Sequence, residues 1–159
     1  MLNQMKKVWK EQRGLTLIEL LAVIVILGII AAIAVPAIGG LIENSRKDAA
    51  IANAVQMANS AKLLKAARNE PIKDGDTVKL ADLYKDNQLE AMRDPFNNNK
   101  GYNKDNSIVT FKVDDSKKDT EGVSYKYYVT LVGENGVTYI KGDTEVTELK
   151  REHVTTSNK

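Results

Sequence analysis

The sequence predicts an α+β chain: a long, kinked N-terminal helix whose C-terminal half packs on an antiparallel sheet of three or four strands. Three observations carry this expectation. Leu20 to Ile42 is a run of 23 residues without a charge. A helical repeat of apolar residues follows it, and the last third of the chain alternates apolar and polar residues around an Asn135-Gly136 pair.

The apolar run comes first because its length has a physical meaning. At about 1.5 Å of rise per residue it reaches roughly 35 Å, enough to cross a hydrocarbon layer about 30 Å thick. Lys6, Lys7, Lys10 and Arg13 precede it against the single acid Glu11. A basic flank of this kind orients its side toward the cytoplasm, so the residues after Ile42 are expected outside. Taken alone, the pattern fits a secretory signal peptide cut near Ala32-Ile33-Ala34 or a permanent signal anchor.

The helical pattern continues from Glu43 to Arg68. Ala50, Ala54, Met57, Ala61 and Leu64 recur at intervals of three or four, with Ile51, Val55 and Ala58 widening the stripe. Asn69 before Glu70-Pro71 is expected to end the helix as a left-handed cap. Inside the apolar run, Pro36 has no amide hydrogen for the Ala32 carbonyl, and Gly28 and Gly39-Gly40 have weak helical preference, which predicts a kink.

Residues 70–107 form a predicted connection with one short helix at Leu80 to Met92 and a proline turn at Asp94-Pro95-Phe96, anchored by Phe96 and Tyr102. Strands follow at Ile108 to Val113, where Val109, Phe111 and Val113 share a face, and at Ser124 to Val132, where Tyr125, Tyr127, Val129 and Leu131 do the same. Asn135-Gly136 predicts a two-residue hairpin with positive φ at both positions, setting Leu131 opposite Ile140. Gly142-Asp143 is expected to turn the chain again into Thr144 to Leu149, and residues 150–159 read as a polar tail.

The stretch Gly14-Leu15-Thr16-Leu17-Ile18-Glu19-Leu20, with a basic leader before it and Gly28 and Pro36 in the apolar helix after it, resembles the prepilin-type N-terminus of type IV pilins and pseudopilins. The resemblance implies a leader, residues 1–14, removed by a prepilin peptidase between Gly14 and Leu15. Leu15 then becomes an N-methylated mature terminus, although most members carry phenylalanine there. It implies a polymerisation helix over 15–42 and a head over 43–159, made of the half-helix 43–69, the loop 70–107, the sheet 108–149 and the tail. Glu19 takes the position associated with assembly, and Gly28 to Pro36 a segment that kinks or unwinds.

The partners so implied are further copies of the chain, minor pilins, the peptidase and an assembly ATPase with its platform. The precursor is expected as a single-pass protein of the cytoplasmic membrane, later a surface filament. A competence or secretion pseudopilin is the alternative, with nucleic acid a partner only in a DNA-uptake filament.

A special role for Glu19 also follows from physics alone. A carboxylate at the entrance of an apolar helix is costly to desolvate unless paired, and the amine freed at Leu15 by leader removal offers a partner.

The remaining composition excludes more than it suggests. The chain has a formal net charge of +2, and the leader carries +3 of it, leaving the mature part at −1. No nucleic-acid role follows from net charge. There is no cysteine, and His153 is the only histidine, so disulfides, cysteine-ligated metal and histidine-based catalysis have no basis. Asp114 to Glu121 lacks calcium-loop spacing and reads as a solvated hairpin. Tyr125, Tyr127, Tyr128 and Tyr139 read as half-buried core rather than a stacking platform. No enzyme, cofactor or metal is expected.

Overall fold

The computed structural model describes residues 2–98, 100–115 and 123–156, with side chains from Thr16 onward. The acidic and basic run expected to form a hairpin loop lies largely outside the described residues, at 116–122. The chain divides into two compact units, Met1–Glu43 and Asn44–Lys159.

The first unit is helical throughout its described length. Helix α1 spans Leu2–Ala67, so it begins well before Gly14 and runs without interruption through Gly28 and Pro36. By length and composition its apolar part is able to cross a membrane.

In the second unit, the end of α1 lies on a four-stranded antiparallel sheet in the order β1-β2-β3-β4. The strands are β1 Thr77–Lys79, β2 Ile108–Asp114, β3 Ser124–Val132 and β4 Thr138–Glu145. The helix buries Ala50, Ala54, Met57, Ala58, Ala61 and Leu64, as its period predicts. Four of those six are alanine, and short side chains let the helix backbone approach the sheet while Met57 and Leu64 fill the gaps. From the sheet, Val78, Val109, Phe111, Val129, Leu131 and Ile140 close the same core. Asn69, at φ 51°, caps the helix in the expected left-handed conformation.

Several sequence expectations are corrected. The loop helix α2 is Leu80–Lys85, shorter than Leu80 to Met92. It stops because Asn87 turns left-handed at φ 52° and Asp86 Oδ2 accepts from both Nε and Nη2 of Arg68, at 2.9 and 2.7 Å. The fourth strand is not Thr144 to Leu149 but β1, from the loop. Val78 pairs with Val109 there, and three residues lacking a visible alternation gave no strand signal. The sheet therefore takes in residues 77–79 and ends at Glu145, rather than filling 108–149.

Gly142, at φ 72°, is a bulge inside β4 and not a turn. The partners Thr130↔Lys141 and Tyr128↔Glu145 show two extra residues on the β4 side. A methyl group on Gly142 would meet Thr130 Oγ1 at 2.5 Å, which explains the glycine. The hairpin also differs in kind. Gly133 N–H donates to Val137 O at 2.9 Å and Gly136 N–H to Gly133 O at 3.0 Å, closing a three-residue loop in which Gly136 alone has positive φ, at 80°. Leu131 nevertheless faces Ile140, as expected.

The segment read as a polar tail is docked as far as Thr155. Short 3-10 turns occupy Val146–Glu148 and Arg151–His153, and Val154 is buried. Thr155 N–H donates to Tyr139 O at 2.9 Å, and Arg151 grips Asp48 of α1 through two contacts of 2.6 and 2.7 Å.

Candidate assembly surface

Between Leu17 and Ile42, sixteen large apolar side chains are exposed by 48% to 71%. They point in every direction around the helix, because the run contains no polar stripe. Leu20 to Ile42 alone carries no side chain able to interact favourably with water through a charge. The head, by contrast, leaves only Leu63, Val123 and Tyr125 among the exposed large hydrophobics of its described residues. A helix apolar all round belongs in lipid or inside a bundle, since water penalises each such surface by about 25 cal/mol per Å².

Glu19 stands in this helix with its side chain exposed. Gly14 and Leu15 lie in the helical backbone one turn earlier, and their side chains are outside the described residues. The i, i+4 spacing brings positions 15 and 19 to one helix face. A methyl group added at Gly28, Gly39 or Gly40 would meet nothing within 4 Å. Nothing inside the subunit therefore requires glycine at these places. Pro36 is likewise accommodated without a break, although its ring removes one backbone donor from the ladder.

The head contributes a second constellation that the sequence shows only in fragments. Asp94 is completely buried. Its Oδ1 accepts the Phe96 amide at 2.8 Å, so the carboxylate caps the proline turn. Its Oδ2 is, among the described residues, the one buried side-chain oxygen or nitrogen without a hydrogen bond. Phe96 stacks at 5.0 Å on Tyr139, which meets Tyr102 edge-on at 6.3 Å. The proline turn is thus anchored by aromatics, as expected, with Tyr139 as a third ring. Asn53 on α1 donates to both the Tyr102 hydroxyl at 2.9 Å and the Arg93 carbonyl at 3.1 Å, tying the loop to the helix.

Burial, and next the nearby Asp94 carboxylate, push Tyr139 up to about 12. The Asp-Pro-aromatic stretch and the Asn-Gly pair were each visible in the sequence. That they meet at Tyr139 was not, because they are some forty residues apart.

The other tyrosines divide as half-buried Tyr84, Tyr127 and Tyr128 and exposed Tyr125. Lys112 Nζ sits 4.5 Å over the Tyr128 ring. His153 accepts the Lys150 amide through Nδ1 at 3.0 Å. Among the described residues, no group of three or more histidines, cysteines or acids is placed to hold a metal.

Residues 9–35 match the family model of the prokaryotic N-terminal methylation motif. This match, confined to the N-terminal segment, supports a type IV pilin-like family. No curated protein and no solved structure matches the chain.

Proposed function

We propose that this chain, which carries the N-terminal methylation motif of type IV pilin-like proteins, is the subunit of an extracellular type IV pilus-like filament. One observation carries the reading: the motif opens directly into a helix that exposes apolar side chains on all sides, while the head keeps a complete core of its own. Such a helix is stable in the membrane and becomes stable again in a bundle of its copies. The three open glycines support close helix approach in that bundle, because small residues let backbones come together.

In this account the precursor waits in the cytoplasmic membrane with its head outside. Prepilin peptidase cuts between Gly14 and Leu15, and the new amine at Leu15 is methylated. The amine neutralises Glu19 of its own helix or of a neighbour's, which offsets the cost of burying the carboxylate. An assembly ATPase and its platform then extract the subunit. Within the filament, Gly28 to Pro36 gives up helix, since Pro36 already withholds one bond and glycine favours extended chain.

Intact mass and N-terminal sequencing of the membrane-associated protein test the processing step. A chain beginning at Leu15 is expected. One beginning at Val35 would identify a signal peptide, and one retaining Met1 an anchor. Replacing Gly14 with a bulky residue should leave the leader attached and stop polymerisation. Electron microscopy of sheared surface material separates the long pilus from a short competence or secretion pseudopilus: abundant fibres built mainly of this chain are the expected result.

A further inference from the structure

Residues 150–155 form a strap held to the head at three points. Arg151 grips Asp48 of α1 through contacts of 2.6 and 2.7 Å, Val154 is buried, and Thr155 N–H donates to Tyr139 O on the edge strand β4. The 3-10 turn Arg151–His153 sets the path of the strap, and a reciprocal pair of bonds closes it. His153 N–H donates to the Lys150 carbonyl at 3.0 Å, and His153 Nδ1 accepts the Lys150 N–H at 3.0 Å. A ring nitrogen accepts only while it carries no hydrogen. This cap therefore requires the neutral imidazole, with its hydrogen on Nε2.

We propose that His153 is a pH-operated latch, which holds residues 150–155 against the head when neutral and releases them when it takes up a proton. Histidine is the side chain whose charge ordinarily changes between about pH 5 and 8. The added proton goes to Nδ1 and abolishes the acceptor, leaving two N–H groups facing each other. The charged ring has other partners in the same cleft. Four carboxylates line it, Asp143, Glu145, Glu148 and Glu152, against the ammonium groups of Lys126 and Lys150. Lys126 is itself engaged by Asp114 at 3.0 Å, and Tyr128, the remaining titratable group of the lining, lies under Lys112. Nε2 already stands 3.9 Å from Glu152 Oε1. The neutral ring belongs on the Lys150 amide and the imidazolium on the carboxylates, so the two forms favour different positions of the turn.

The sign follows from which form makes the bond. The cap belongs to the neutral ring, so the latch is closed above the histidine range and opens as pH falls through it. The neighbouring anchor does not titrate there, because its hydrogen bond from Arg151 holds Asp48 below the ordinary value of 3.8. Loss of the cap frees the backbone that aligns Arg151 with Asp48 and Val154 with the core. Withdrawal of Thr155 then leaves the Tyr139 carbonyl open on the β4 edge. The latch works in the single subunit, whether or not that subunit enters a filament.

Amide protection, taken as exchange relative to an unstructured chain at the same pH, reads the latch in the full-length protein in detergent. Protection at residues 150–155 should fall several-fold between about pH 8 and pH 5, while Met57 to Leu64 on the buried stripe of α1 keep theirs. His153→Asn puts a carboxamide oxygen where Nδ1 stands, and that oxygen accepts at every pH, so this variant's strap should stay protected throughout. Equal wild-type protection at both ends of the range, or a fall that His153→Asn retains, overturns the proposal. Should His153→Asn loosen the strap at every pH, the ring decides, since His153 is the only histidine and nitrogen-15 labelling of histidine reports it alone. The neutral ring should carry its hydrogen on Nε2, and Nδ1 should gain one over the interval in which protection is lost. A neutral ring with its hydrogen on Nδ1, or a ring that titrates while the strap keeps its protection, contradicts the latch.

Discussion

Residues 17–42 and residues 44–67 belong to one helix and obey opposite rules. The first stretch shows sixteen large apolar side chains to the outside. The second buries a single stripe, Ala50 to Leu64, and turns Ala52, Gln56, Asn59 and Lys62 outward. The difference teaches where each part finds its stability. The second stretch is completed by its own sheet. The first is complete only in a surrounding that the subunit does not contain.

The largest expected effect that separates the two comes from truncating one leucine and one isoleucine. Leu64 is 1% exposed, so Leu64→Ala should cost the head about 2–5 kcal/mol in denaturant unfolding. Ile30 is 56% exposed, and Ile30→Ala should change head unfolding by less than about 0.5 kcal/mol. Equal losses would erase the distinction. A smaller loss, about 1–3 kcal/mol, is expected for Gly133→Ala, whose new methyl would press on Asn135, Asp94 and Tyr139.

An acid titration sharpens the comparison from the side of the head. The Lys73 amide, and then the Lys65 side chain, hold Asp76 below its ordinary value of 3.8. Its contribution is present above that value and is lost as pH falls through the lowered one. The stability difference between the wild-type chain and Asp76→Asn should therefore be visible near neutral pH and vanish in strong acid. A difference that grows on acidification would reverse the assignment. Smallest of all is Arg151→Ala: the Asp48 contact is exposed, so the melting temperature should drop slightly at low salt and not at all at high salt.

The sequence made the long helix and its buried stripe legible because a period of 3.6 repeated over many turns leaves little ambiguity. Asn69 was readable as its end for a local reason, the proline two residues on. The Leu131↔Ile140 register was readable too, as alternation fixes which residues face inward. What escaped was decided by tertiary contacts. β1 is three residues long and exists through its pairing with β2. The Gly142 bulge depends on the Thr130 hydroxyl, and the docked tail on Asp48 about a hundred residues away. At the candidate assembly surface, Glu19 and the apolar run stood out because charge and length mark them without any fold. The meeting of Asp94, Asn135 and Tyr139 could not be read, since no local pattern links a proline turn to a distant hairpin.

The central claim is that residues 17–42 are an assembly surface, and a density map of the surface filament tests it most directly. The account predicts Leu17 to Ile42 in the filament interior, their side chains covered by the same segment of neighbouring copies, with the Leu15 amine beside a Glu19 carboxylate. Finding that segment still in lipid, removed from the chain, or solvent-exposed at the filament periphery would contradict it.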